Sequence, residues 1–205
     1  MRSADAPDRR CYGPLLNNGL RRTISPPSKE VDRLGVRDGD SVADLGAGSG
    51  FFEPTLLVRI GPRGRLLVVE PDGANLARIS KRLGRDPRIR LMQTTAADLG
   101  GVPDGTIDRA LLSLVLCCMV DKEGALDELW RVLRPGGRAL VTYPRLGLGR
   151  GGRRALRVTP DRWDQLLRRR PWRSFPVPSS GLVTRSLLEK PEGVDPSAIV
   201  AAPHG

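Results

Sequence analysis

The apolar positions of this chain fall into two alternating patterns. One is the short, almost unbroken run, as in Ser41-Val-Ala-Asp-Leu45 and Arg65-Leu-Leu-Val-Val-Glu70. Such runs suit strands covered on both faces. The other is an apolar stripe at helical spacing, clearest from Gly73 to Leu83, with Gly84 as a stop signal. Together they predict strands at Ser41–Leu45, Arg65–Glu70, Ile89–Thr94, Thr106–Ser113 and Arg138–Thr142, with helices between them at Phe51–Ile60, Gly73–Leu83 and Asp121–Leu133. Strands alternating with helices imply βαβ units, a parallel sheet and right-handed crossovers that place helices on both faces. Upstream, Tyr12 to Asp32 reads as a short helical lead-in, and Leu34 to Asp40 as a turn-rich approach to the first strand. Pro135-Gly136-Gly137 reads as a tight turn into the fifth strand. Downstream, Pro160 to Arg170 reads as a helix capped by Thr159. Two last strands, Trp172–Val177 and Leu182–Glu189, are expected to be joined through Pro178-Ser-Ser-Gly181.

This pattern makes residues 34–190 one domain. Residues 1–33 are expected to form an N-terminal segment able to act as a lid, and residues 191–205 a disordered tail. The Gly/Arg-rich stretch Gly147 to Arg154 is expected to be a mobile loop.

Composition narrows the function classes. Hydrophobic residues make up 39% and aromatic residues 4%, so aliphatic side chains build the core. The longest apolar run, Ala110 to Val120, is far short of the ~20 residues that cross a bilayer. Met1 to Arg10 lacks the apolar stretch of a signal peptide, so a cytoplasmic location is expected, with no membrane span. The cysteines are Cys11, Cys117 and Cys118, and the one histidine is His204. That inventory disfavours a disulfide scaffold, a zinc site and a histidine base. The net charge of +11 has two readings, a nucleic-acid or acidic partner or simply arginine-rich usage that aids solubility.

The chemistry centres on Val42-Ala-Asp-Leu-Gly-Ala-Gly-Ser-Gly-Phe-Phe52, a strand running into three alternating glycines and then a helix. Glycine brings bare backbone against a ligand, and the helix start offers N–H groups. The spacing is G-x-G-x-G over Gly46, Ala47, Gly48, Ser49 and Gly50, with Phe51 where a dinucleotide fingerprint has its third glycine. Asp44 suits a cationic amino-acid group rather than a pyrophosphate. Glu70 ends the second strand about 20 residues on, where an acid accepts from ribose hydroxyls. Asp98 follows the third strand, near the expected adenine position. Acids at successive strand ends lie on one edge of the sheet, where open α/β folds bind ligands. Together these residues point to S-adenosylmethionine (SAM).

With these residues the chain resembles the class I SAM-dependent methyltransferases. It is most similar to the type 11 group that includes ubiquinone/menaquinone C-methyltransferases and small thiol methyltransferases. The likeness spans Leu34 to Pro144 and rests on "VADLGAGSGFF", "LLVVEPD", "TAADL", "IDRALLSLVLCCMVD" and "ALDELWRVLRPGGRALV". It implies an α/β, doubly wound, Rossmann-like fold: a seven-stranded, mostly parallel sheet with an antiparallel C-terminal hairpin. It also implies roles. Asp44 and the loop Gly46, Ala47, Gly48 and Gly50 would hold the amino-acid part of SAM. Glu70, followed by Pro71, would hold the ribose. Asp98 and the Leu99 backbone would read the adenine, and Ser113 and Leu114 would flank the methionine portion.

Methyl transfer from a sulfonium is an in-line displacement, so the protein mainly aligns the nucleophile and excludes water. A base serves only a poorly ionised acceptor. Weak candidates are Tyr143, Tyr12 and Asp121. Glu123 and Asp121 also suit the start of a helix, and the two adjacent cysteines read as small apolar residues. The stretch after the fourth strand has neither the Asn/Asp-Pro-Pro-aromatic motif of amino-methylating nucleic-acid enzymes nor a Pro-Cys nucleophile. The expected acceptor is a small molecule, and the expected state a monomer or homodimer. The alternatives are an RNA or nucleoprotein methyltransferase and a SAM-binding protein without methyl transfer. A dinucleotide-dependent reductase ranks last.

Overall fold

A computed structural model describes residues 19–145, 158–180 and 182–193. Two short helices, α1 (Gly19–Ile24) and α2 (Pro27–Leu34), precede the first strand, β1 (Ser41–Leu45). There follow α3 (Glu53–Ile60), β2 (Arg65–Val69), α4 (Gly73–Leu83), β3 (Ile89–Met92) and β4 (Ile107–Ser113). A single 3₁₀ turn (Leu116–Cys118) leads to α5 (Lys122–Val132) and β5 (Leu133–Pro144), and then to α6 (Pro160–Leu167), β6 (Arg173–Pro176) and β7 (Val183–Glu189). The strands form one sheet in the order β3-β2-β1-β4-β5-β7-β6. Neighbours among β1 to β5 pair in parallel, and β7 runs antiparallel to both β5 and β6. This is the expected doubly wound sheet with an antiparallel C-terminal hairpin.

Strand side chains alternate between two apolar layers, as the two-residue period demands. Ala43, Leu45, Ala110, Leu112, Ala139 and Val141 enter the layer shared with α5 and α6. Val42, Leu66, Val68, Leu111 and Leu140 enter the layer under α2, α3 and α4. Asp44 shares the parity of Val42, which directs its carboxylate to the α3 side of the sheet.

Three local expectations change. Pro135-Gly136-Gly137 is not a turn before the strand, because α5 passes directly into β5 at Leu133. The three residues form a bulge inside β5, where the register to β4 jumps from Ile107↔Leu133 to Arg109↔Arg138. Gly136, at φ +73°, donates its N–H to the Lys190 carbonyl at 2.7 Å, and Lys190 returns an N–H to Gly137 at 3.0 Å. These bonds to the segment after β7 keep the stretch extended. β3 stops at Met92, because the Asp98 N–H closes a turn onto the Thr95 carbonyl. Finally, all of α2 but Leu34 falls within residues 1–33, expected as an N-terminal segment, and Val31 is fully buried in the core beside Leu34. Tyr12, Cys11, His204, the Gly147–Arg154 loop and residues 194–205 lie outside the described residues.

Candidate active site

The glycine loop leaves the C-terminal end of β1 and is fastened to β2. The N–H groups of Gly46 and Ala47 both donate to the Val69 carbonyl, at 2.8 and 3.0 Å. Gly46 (φ +76°) and Gly48 (φ +60°) occupy the left-handed region that side chains disfavour. At Gly46 an added Cβ would meet the Val115 side chain at 2.6 Å, while at Gly48 it would meet nothing within 4 Å. The loop is therefore packed against the segment after β4 on one side, and at Gly48 it presents bare backbone.

Asp44 is completely buried beneath this loop, and its Oδ2 has no hydrogen-bond partner. Burial raises its pKa well above the usual carboxylate range; Glu53 pushes it up further and Arg21 opposes the rise. A buried acid oxygen without a donor is costly unless a ligand supplies one. Glu70, also buried, accepts the Gly48 N–H on Oε2 at 2.7 Å and the Asp72 N–H on Oε1 at 3.0 Å. The second strand end is thus hydrogen-bonded to the glycine loop, and Pro71 follows it, half-buried.

The remaining predicted positions divide. Asp98 is exposed and its Oδ2 accepts from Thr94 Oγ1 at 3.3 Å. The Leu99 amide was expected to face an adenine, but it donates to Glu128 of α5 at 2.8 Å. Glu128 is itself held by Arg131, which makes this contact part of the α5 packing. Ser113 ends β4 half-buried, with its hydroxyl 3.1 Å from that of Thr142. Leu114 is the one non-glycine among the described residues with positive φ, at +63°. A leucine there carries strain of roughly 1–2 kcal/mol, and such strain clusters at functional sites. Its carbonyl accepts the Cys117 thiol at 3.2 Å, and the Cys117 and Cys118 sulfurs lie 3.7 Å apart.

Two of the base candidates, Tyr143 and Asp121, are engaged elsewhere. Tyr143 is buried in the α6-side layer with its ring 5.3 Å from that of Trp163, and burial raises its pKa. Its position is explained by core packing. Asp121 caps α5 by accepting the Gly124 N–H at 2.7 Å. Glu123 pairs with Arg162 of α6.

Two residues of this site were not read from the sequence. Glu53, in the first turn of α3, is completely buried, and neither carboxylate oxygen has a partner. Burial pushes its pKa up to about 7. Its signal was a glutamate between Phe52 and Leu56, two positions of the buried helix face. Arg21 of α1 stacks over Phe51, its guanidinium carbon 4.2 Å from the ring centroid, and donates to Ser113 Oγ at 3.3 Å. No local pattern in residues 19–24 announced that contact, which spans 92 positions of sequence.

Comparison with known proteins agrees with this geometry. Residues 43–141 match the family described as a methyltransferase domain. The ubiquinone/menaquinone biosynthesis C-methyltransferase UbiE of Pasteurella multocida is 35% identical over 131 residues, 62% of this chain and 47% of that protein. Its counterpart from Hahella chejuensis is 34% identical over 114 residues, 54% of this chain and 45% of that protein. The chain thus spans about half the length of the curated relatives it matches. A SAM-dependent methyltransferase of Aquifex aeolicus superposes with a TM-score of 0.75, covering 85% of this chain and 95% of that one. At 17% identity that likeness is one of fold. Residues 43–141 thus match a methyltransferase domain, and the sheet built around them has the fold seen in a SAM-dependent methyltransferase.

Proposed function

We propose that this protein binds SAM at the C-terminal edge of β1, β2 and β4 and transfers its methyl group to a small-molecule acceptor. The observation that carries the reading is the buried Asp44 oxygen without a donor, under a glycine loop whose Gly48 backbone is open. A cationic group satisfies that oxygen, and an ammonium does so with charge-assisted hydrogen bonds. The residues present therefore fit an amino-acid-bearing ligand.

Asp44 would hold the ammonium, and the loop backbone would lie along the amino-acid chain. Glu70, oriented by the Gly48 amide, would accept from the ribose hydroxyls. Asp98 would face the adenine without the Leu99 amide, which Glu128 holds. Bound SAM supplies a methyl group activated by a positively charged sulfur. The strained Leu114 and the adjacent Ser113 would position the acceptor side of the cleft and keep water out. Carbon nucleophiles head the acceptor screen, because two of the similar curated relatives are C-methyltransferases. We place this activity in the cytoplasm; no helix among the described residues is long and apolar enough to cross a membrane.

Calorimetric titration tests the cofactor. SAM and S-adenosylhomocysteine should bind, NADH should stay silent, and D44N should weaken SAM by roughly 10- to 100-fold, the worth of one charged hydrogen bond. NADH binding with both sulfur ligands silent would refute the proposal.

A further inference from the structure

An amino-acid zwitterion brings a charge of each sign to the protein. In the matched segment, residues 43–141, Asp44 would answer the ammonium, the acid Glu53 acts on Asp44 as a like charge, and Arg82 is spent on the Gly50 carbonyl of the glycine loop. We infer that Arg21, outside that segment, is the residue that grips the carboxylate of the bound cofactor's amino-acid end. This rests on the SAM reading above.

Three observations place Arg21 there. The charges of Asp44 and Glu53 both act on its guanidinium. Yet both Glu53 oxygens and Asp44 Oδ2 lack any hydrogen-bond partner, so Arg21 is not bonded to those oxygens. Instead it stacks on Phe51, the first residue past the glycine loop, and donates to Ser113 at the end of β4. Stacking fixes the plane of the guanidinium, and a planar fork is the group that matches a carboxylate in two directions at once. Burial also depresses its pKa, and a carboxylate bound beside it would offset that penalty. Arg21 and Asp44 then read the two charges separately, and α1 is tied to the cofactor through one side chain.

The test compares SAM with decarboxylated SAM, which keeps the ammonium and sulfonium and lacks only the carboxylate. Calorimetry on the full chain should show wild type preferring SAM by roughly 10- to 100-fold. R21A should lose that preference by weakening SAM alone, with decarboxylated SAM held within about twofold, and R21K should restore part of it. Thermal melts of R21A confirm that the fold persists. An R21A variant that weakens both ligands equally, or neither, overturns the role of Arg21 while leaving the cofactor reading intact. A wild type that binds neither ligand refutes the cofactor reading and this inference with it.

Discussion

Glu53 holds a carboxyl in the layer under α3 with no donor for either oxygen, and its pKa rises from 4.5 to about 7. The raised value means that folding favours the protonated acid. Its stabilising contribution is complete below the unfolded pKa near 4.5 and is lost as the pH climbs through about 7. E53Q keeps the neutral shape and removes that loss. Its stability relative to wild type should therefore grow from pH 4.5 to 7 and then level off, by on the order of 2–3 kcal/mol. Melting curves across that range check it, and a difference that does not vary with pH would contradict the assignment. Gly46 gives a second prediction at this scale. G46A must accept both a left-handed alanine and a Cβ driven against Val115. A loss of about 1–3 kcal/mol is expected, partly recovered in G46A/V115A, where the clash goes but the backbone strain remains. Of this site, Asp44, Glu70 and the loop glycines were legible, because their spacing after successive strands is a local signal. Arg21 was not, since its contacts to Phe51 and Ser113 exist only once α1 is folded over the sheet edge.

Between elements, the bond that fixes α2 to the sheet is a buried ion pair. Arg185 of β7 donates to both oxygens of Glu30 at 2.8 to 3.1 Å, and Ser25 and Arg33 complete the set. Their side chains are only 3% and 0% exposed. Removing Arg185 leaves the buried Glu30 with only Arg33 and Ser25 as partners, so R185M should cost up to about 3–5 kcal/mol. R185M/E30M should cost clearly less than the two single variants summed, because neither charge is then left alone. Chemical denaturation of the four proteins measures the coupling. No periodicity links positions 30 and 185, so α2 read only as part of a short helical lead-in. The bulge at Pro135–Gly137 was misread for a related reason. Its residues favour a turn locally, but their N–H and carbonyl groups are claimed by Lys190, which the sequence does not place beside them. The edge strand β6 is exposed throughout, and Arg173 and Pro176 at its ends blunt it against pairing with another chain.

Across the described residues, many arginines stand in ion pairs with neighbouring acids, while the chain keeps its net charge of +11. Arg59, Arg63, Arg88, Arg134 and Arg138 each meet an acid, and Arg131 meets two. A small-molecule acceptor predicts no tight, specific retention of transfer RNA at physiological salt, and a filter-binding titration checks this. The sequence by itself determined the order and type of most elements, the parallel sheet and the strand ends that carry Asp44 and Glu70. Those features are periodic or closely spaced, and backbone geometry translates them directly. Tertiary structure alone decided which buried acids lack donors, where the Leu99 amide is spent, that Tyr143 belongs to the core, and that α1 brings a cation to the site. Each depends on residues far apart in the chain meeting in a low-dielectric interior, where hydrogen bonding and charge are settled by whichever groups packing brings within reach.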